Sequence, residues 1–527
     1  MKAPSPAAAS ATSTPETNHT PHGAASGASN AFAQVLSAPR SGAAAAQGDP
    51  SHALGRQLRE SPAVSGAISM LGAEVAARSA QITGPRGPIN PAAKEDFESC
   101  MKRAAEVRGR ALLYPYLGSG LGNGALVELQ DGSVKWDMIN GIGVHFLGHS
   151  DRRVIEAALR ASLSDTIYHG NLQANMDVYE FGEKLLALAQ RGSKLAHVYP
   201  STSGAMANEN ALKVCYQKHA PAARVIAFKD CFMGRSVTMS QIGDAAANRI
   251  GIPLSTLVDY MPFYDPLEAE RLGKAKYIEA RVAMLTALIE RYPRQHACFI
   301  FELIQGEGGF NVGDRDDFLA LINVCKASSI AVWDDEIQTF GRTERMFAYE
   351  HFNLGEYVDV FCVGKMTQVC ATLYTKDYNP GPGLLSGTFV SGPAQFAAGL
   401  EVLNRLGDAG ANHYGPDGAF ARHHRAFRAQ VQSLVAKHPD WFPATSPKYG
   451  PLGPLSAGIG GMMRFTPFAG DKDKINKACK ALFDEGVITF SCGHGPYHVR
   501  MLPALPVFNM EDWPRVFECI ERGLAKV

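Results

Sequence analysis

Long apolar runs are missing: no stretch reaches the roughly 18 consecutive apolar residues that a membrane-spanning helix needs. An excess of either charge is missing too. Lys+Arg number 51 and Asp+Glu 51, for a formal net charge of 0. That balance excludes a broad electrostatic claim on nucleic acid or on an anionic membrane surface. Cysteine is sparse, with 10 in 527 residues, and falls mostly in apolar stretches such as Val324-Cys325 and Phe361-Cys362-Val363. These read as buried thiols, so the expected compartment is reducing and the expected localisation cytoplasmic. No strand–turn–helix G-x-G-x-x-G unit with a following acidic residue occurs, which disfavours a dinucleotide-binding enzyme. No internal repeat is visible, and no metal site is assigned. What is present, 46% hydrophobic and 19% charged residues, suits a globular chain long enough for two or three domains.

Composition shifts along the chain. Residues 1–50 are largely Ala, Ser, Pro, Thr and Gly, with Glu16 the first acid. So little apolar surface cannot offset the entropy of ordering, and residues 1–91 are expected to be a disordered extension holding at most a short helix around Ala67–Ile82. The acid-poor start resembles a transit peptide, but its first Arg is Arg40; no compact apolar region follows a basic start, which argues against secretion. From about Asp165 to Val363, short apolar runs (Ala196–Tyr199, Val225–Phe228, Cys298–Ile304, Ile330–Trp333, Val358–Val363) alternate with amphipathic stretches. In one of these, Phe318, Leu321, Ile322 and Cys325 share a helix face. The pattern predicts an α/β protein with a mainly parallel sheet covered on both faces. After Ser391 a long helix precedes mixed strands and helices, which reads as a smaller α+β domain. The expected divisions are 92–164, a segment joining the small domain; 165–390, the large domain; and 391–527, the C-terminal small domain.

Ligands in such sheets bind beyond the carboxyl ends of the strands, so the residues after each run matter most. Pro200-Ser201-Thr202-Ser203-Gly204-Ala205 follows the first run and leads into a helix; it reads either as a phosphate cradle or as an ordinary N-cap in a tight turn. Asp334-Asp335-Glu336 follows the fourth, as ligand-facing carboxylates or as polar residues entering a loop. Gly364-Lys365 follows the fifth, with the lysine either reaching to solvent or placed in the crevice as a nucleophilic amine. Taken together, an anion site, a carboxylate and a lysine at three strand ends form the set that pyridoxal phosphate needs.

At these residues the sequence resembles the class III (ω-type) aminotransferases, of the fold-type I pyridoxal-phosphate superfamily. The resemblance runs from about Ala111 to Leu505 in ordered blocks: Asp137–His149 (DMINGIGVHFLGH), Ser201–Lys213 (STSGAMANENALK), Phe232–Ser240 (FMGRSVTMS), Glu302–Gly309 (ELIQGEGG), Asp335–Thr343 (DEIQTFGRT), Gly364-Lys365, Gly387–Phe389 and Arg500–Leu505. It implies Lys365 as the Schiff-base lysine and proton shuttle, and Asp335 as the partner of the ring nitrogen. Gln338 is implied near the ring hydroxyl, Ser203, Gly204 and Ala205 as the phosphate loop, and Phe232 as the aromatic on the ring face. Thr388 is implied as a phosphate contact given to the partner subunit of a homodimer with shared sites. Arg500 is implied to bind a substrate carboxylate, with Glu307 neutralising it, so that one pocket serves an amine-bearing end and then 2-oxoglutarate. Within the class, Gly364–Cys370 and Ser491-Cys492-Gly493 ahead of Val499-Arg500 lean toward lysine 6-aminotransferase.

The implied reaction moves a terminal amino group, from L-lysine or a related diamino or ω-amino compound, to 2-oxoglutarate. The alternatives are an enzyme of the same scaffold without net transfer (an aminomutase, decarboxylase or lyase) and a non-catalytic binding protein, against which the intact Lys365 and Asp335 argue. Several positions depart from the family pattern. Met206 stands for a usual Glu, Met233 for His, Leu303 for Pro and Arg152 for Pro, and the loop after Gln338 is one residue shorter. These departures are expected around the pocket walls and bear on substrate identity.

Overall fold

Phe318, Leu321, Ile322 and Cys325 are all fully buried, on one face of the helix Arg315–Ala327. Asp314 caps that helix by accepting from the N–H groups of Asp316 and Asp317, and the first-turn acids and Lys326 complement its dipole. The computed structural model describes residues 52–527. The central strands β7 (His296–Phe301), β8 (Ala331–Asp335) and β9 (Val360–Val363) are buried along their whole length. Burial on both faces is what a parallel sheet covered by helices requires.

With β4 (Leu195–Ser201), β5 (Arg224–Phe228), β6 (Leu257–Met261) and β10 (Cys370–Thr375) these strands form a seven-stranded sheet in the order β4-β10-β9-β8-β7-β5-β6. Strands β9, β8, β7, β5 and β6 run parallel, and β10 is antiparallel to both β4 and β9. The α/β, mainly parallel fold is therefore as expected. The apolar runs locate five of the seven strands. They miss β6, a half-buried edge, and β10, whose Thr372 hydroxyl donates to the Ala207 carbonyl at 2.7 Å inside the core.

Two smaller sheets complete the chain. β1 (Gly118–Asn123), β2 (Leu126–Leu129) and β3 (Val134–Asp137) are joined by β15 (Val487–Ile488), which pairs parallel to β3. β13 (Ser456–Ile459), β14 (Met462–Phe465), β17 (His498–Met501) and β16 (Phe490–Cys492) form the other. The segment before the large sheet and the C-terminal part thus share one sheet. A two-residue ladder links β11 (Thr445–Ser446) and β12 (Gly450–Pro451). Among the described residues no helix is long and apolar enough to cross a membrane.

One boundary needs correction. Disorder is expected through residue 91, yet Leu54–Glu60 and Pro62–Ser79 are helical. The part of that expectation on residues 1–51 lies outside the described residues. The longer helix lies directly on the helix Arg152–Ala161: a Cβ on Gly72 would fall 2.3 Å from Glu156 Oε1. Arg152 donates to Ser69 Oγ at 3.0 Å, and Arg160 to Ser65 Oγ at 3.2 Å. Its buried residues are Ile68, Gly72 and Ser79, so the packing stripe holds one large apolar side chain and two small residues. Such a stripe leaves almost no hydrophobic periodicity to read.

Candidate active site

The end of β4 turns directly into the helix Gly204–Lys218. Ser203 caps it, its hydroxyl accepting from the Met206 N–H at 3.2 Å. The N–H groups of the first turn are left without helical partners, and the dipole favours an anion in front of them. Small residues are obligatory here. A Cβ on Gly204 would lie 2.8 Å from Ile337 Cδ1, and one on Gly234, held at φ +127°, would lie 2.8 Å from Ala205 Cβ. Gly234→Ala should therefore push the Ser203–Ala205 turn out of place. The expected cost is about 1–3 kcal/mol of stability, as for other overpacked positions, together with weaker binding of inorganic phosphate. Thermal unfolding with and without phosphate checks both.

Asp335 ends β8 with its carboxylate buried. Oδ1 accepts from the Ile337 N–H at 2.9 Å and Oδ2 from Asn208 Nδ2 at 2.7 Å. Burial pushes Asp335 above the usual carboxylate value, against the pull of these donors and of Lys365. Two neutral donors leave such a group short of a cation. Its neighbour Asp334 faces away. Burial, then the Glu336 carboxylate, push Asp334 up, and Glu336 itself accepts from the N–H groups of Ala348 and Tyr349 at 2.7 and 2.8 Å. Lys365 follows β9 with a left-handed backbone (φ 54°). Gly364 before it has no room for a side chain, since a Cβ would sit 2.7 Å from Cys370 Sγ. Burial lowers the Lys365 amine from its ordinary value; Glu307 and Asp335 oppose that, and Arg342 and Arg500 add to it.

These elements surround one cavity of about 530 Å³, within the range of small-ligand sites. Its wall includes Ser203, Gly204, Ala205, Phe232, Asp335, Gln338 and Lys365. Seven sequence-predicted residues from four separate blocks thus meet. Phe232 is half-buried, with the Arg235 guanidinium 5.6 Å from its ring centroid. Arg500 and Glu307 stand beside the cavity and join it through Gln338. Arg500 Nη2 donates to both Glu307 oxygens at 2.8 Å, and Nη1 to Gln338 Oε1 at 3.3 Å. Burial alone would raise Glu307, but the Arg500 charge and hydrogen bonds outweigh it and hold Glu307 below the usual carboxylate value. Arg342 pins the wall from outside, donating to the Gln338 carbonyl at 2.9 Å and to the Gly143 carbonyl.

Thr388 is not brought to this cavity. It is exposed, in a separate hollow with Ile167, Tyr168, Leu172 and Phe389. Of the unusual residues only Met233 reaches the wall. Met206 and Arg152 are exposed and Leu303 is fully buried, so the expectation that the departures line the pocket is corrected. Sequence reasoning missed Asn208, Glu302 and Gln368, all in the wall. Asn208 was detectable as a polar residue on the buried face of its helix, between Ala207 and Ala211.

The sequence profile described as "Aminotransferase class-III" matches residues 119–524. The mitochondrial acetylornithine aminotransferase of Eremothecium gossypii is 31% identical over 291 residues, 51% of this chain and 64% of that protein, just under two thirds of its length. The 2-aminoadipate transaminase of Pseudomonas putida is 28% identical over 423 residues, 77% of this chain and 95% of that protein. Among solved structures, the lysine aminotransferase from M. tuberculosis in its internal aldimine form superposes with a TM-score of 0.69 at 20% identity, covering 81% of this chain and 99% of that one. That likeness establishes the fold.

Proposed function

We propose that this chain, which belongs to the class III aminotransferases, transfers a terminal (ω) amino group to 2-oxoglutarate, with L-lysine or a related diamino or ω-amino compound as donor. The carrying observation is the single cavity that gathers Lys365, Asp335 and the Ser203–Ala205 turn, with the Arg500–Glu307 pair at its side. The donor set fits pyridoxal 5'-phosphate, the cofactor of this family. The turn offers backbone N–H groups to a phosphate, buried Asp335 has only neutral hydrogen-bond donors, and among the described residues Lys365 is the only lysine in the wall.

When bound, the cofactor supplies an electron sink for the carbon that bears the transferred amine. The chain supplies the rest. Asp335 keeps the ring nitrogen protonated by offering it a buried negative charge. Phe232 would hold the cofactor ring by offset stacking, and Gln338 would be the partner of its hydroxyl. Lys365 would be the residue that holds the cofactor, and once the incoming amine had displaced it, its freed amine, made easier to deprotonate by burial, would take the proton from the donor carbon and return it. Arg500 receives the 2-oxoglutarate carboxylate as a fork. While the donor reacts, Glu307 covers Arg500, because a bare guanidinium would repel an incoming ammonium.

The same reading makes the protein a homodimer, with Thr388 contributing to the partner's phosphate site. Large exposed apolar residues around Thr388 (Ile167, Leu172 and Phe389 at 77%, 102% and 63% exposure) support a covered face there. Ten free cysteines, eight of them buried, support a reducing cytoplasm.

A panel of amines assayed with 2-oxoglutarate tests the reading. Glutamate release with double-displacement kinetics is expected; turnover without glutamate would instead favour the aminomutase, decarboxylase or lyase reading. Glu307→Ala should slow the donor half-reaction on the order of 10²-fold, as expected when one member of a buried charge pair is removed. The half-reaction with glutamate should be spared. Stopped-flow spectra of the two half-reactions measure this, and equal losses in both would reduce the pair to a structural role.

A further inference from the structure

Glu302 is the first residue beyond β7, buried to 6% exposure, in the wall of the same cavity. Its two carboxylate oxygens accept from two different segments. Oε1 takes the Phe232 N–H at 3.1 Å, and Oε2 takes the Gly306 N–H at 2.8 Å. The first segment carries Phe232 on the cavity wall; the second leads straight into Glu307. The segments also meet next to Glu302, where Gln305 Nε2 donates to the Lys229 carbonyl at 2.6 Å. Gly306 packs so closely on Gln338 that a Cβ would lie 2.6 Å from its side chain, so the second segment has no slack in that direction. Further on, the Gly493 N–H donates to the Glu307 carbonyl at 2.9 Å, and His494 Nδ1 pairs with Asp230 Oδ1 at 2.9 Å. Both segments are thereby tied to the strand region that carries Arg500.

We propose that Glu302 is a positioning residue of the transamination described above: a single carboxylate that clamps the Phe232 loop to the Glu307 loop and fixes the spacing between the ring-facing aromatic and the cover of Arg500. The proposal rests on that functional reading. An ordinary loop tie could be made by any acceptor. Burial, then the Asp335 carboxylate, push Glu302 up to about 8, against the pull of the two N–H groups. Two N–H groups converging on one side chain need two acceptor oxygens, which a carboxyl group offers and an amide does not. Glutamine presents one oxygen and one NH₂, so one of the two N–H groups would face a donor. Aspartate is one methylene shorter and reaches one N–H only. The clamp serves both half-reactions because Phe232 is used in each, whereas Glu307 matters to the donor alone.

Hydrogen–deuterium exchange on the full chain, with and without added cofactor, tests the clamp directly in Glu302→Gln and Glu302→Asp. In Glu302→Gln, exchange should rise about tenfold in whichever of 229–236 and 303–309 faces the new NH₂, the factor expected from one lost buried hydrogen bond. Exchange elsewhere should stay at wild-type rates. The Asp variant should loosen one of the two segments, and it decides the matter if the Gln variant fails to fold. Both half-reactions should slow by about tenfold in Glu302→Gln, in contrast to the one-sided loss in Glu307→Ala. Exchange that rises in neither segment with either variant overturns the clamp. Loosened loops with both half-reactions at wild-type rates overturn its role in the reaction. Absence of turnover in the unmutated chain would instead sink the functional reading, and exchange without cofactor is independent of that result.

Discussion

Lys365→Ala should lower turnover by about 10⁴-fold, the upper end of what a positioned general acid–base group contributes. No other lysine amine can take over, because among the described residues Lys365 is the only lysine in the cavity wall. Burial lowers the Lys365 amine from its ordinary value, so the rate in the wild-type chain should climb with pH as the amine loses its proton, at a pH below the usual lysine range. That limb should vanish in the variant. Stability follows the same titration. The unfolded chain binds the extra proton between the lowered and the ordinary pKa, so folding stability rises with pH across that window, and the alanine variant loses this slope. Borohydride reduction of the loaded wild type should fix the cofactor to the peptide containing Lys365. Fixation on another lysine, or a variant within tenfold of wild type, would overturn the assignment.

The strand-end logic found Lys365 and Asp335 because each follows a run whose burial on both faces leaves an apolar signature, and Ser203–Ala205 because it follows the shorter apolar run of the half-buried β4. Choosing Asp335 over Asp334 needed the resemblance, since the composition of the pair is symmetric. The structure separates them by strand alternation: one side chain faces the cavity, the other Glu336. What escaped is what lacks a run or a period. The helix Pro62–Ser79 was expected only as a short piece around Ala67–Ile82, and β10 buries Thr372 through a hydroxyl bond that no hydropathy pattern records. Glu302 escaped for another reason. Its meaning lies in Phe232 and Gly306, and of these only Gly306 is near in sequence.

Asp335→Asn should reduce kcat by about 10³-fold, the scale of losing one preorganised charge in a water-poor site. An amide cannot hold a ring nitrogen protonated, so negative charge developing on the substrate carbon loses its sink. The fold should survive with a modest loss. Asp335 Oδ2 now accepts from Asn208 Nδ2, which also donates to the Met233 carbonyl at 2.8 Å, while Asn208 Oδ1 has no partner. The new NH₂ would meet a donor at either the Ile337 N–H or Asn208. Turning the Asn208 amide offers its free oxygen to that NH₂ but gives up the Met233 bond. One hydrogen bond is thus exchanged for another, at a cost of about 1–2 kcal/mol. Asp334→Asn is the control: its carboxyl faces Glu336, where burial and the second carboxylate already favour the neutral form, so turnover should stay near wild type. Rates measured beside thermal unfolding for the two variants separate chemistry from folding. Were Asp334→Asn the inactive one and Asp335→Asn active, the ring-nitrogen role would belong to the other member of the pair.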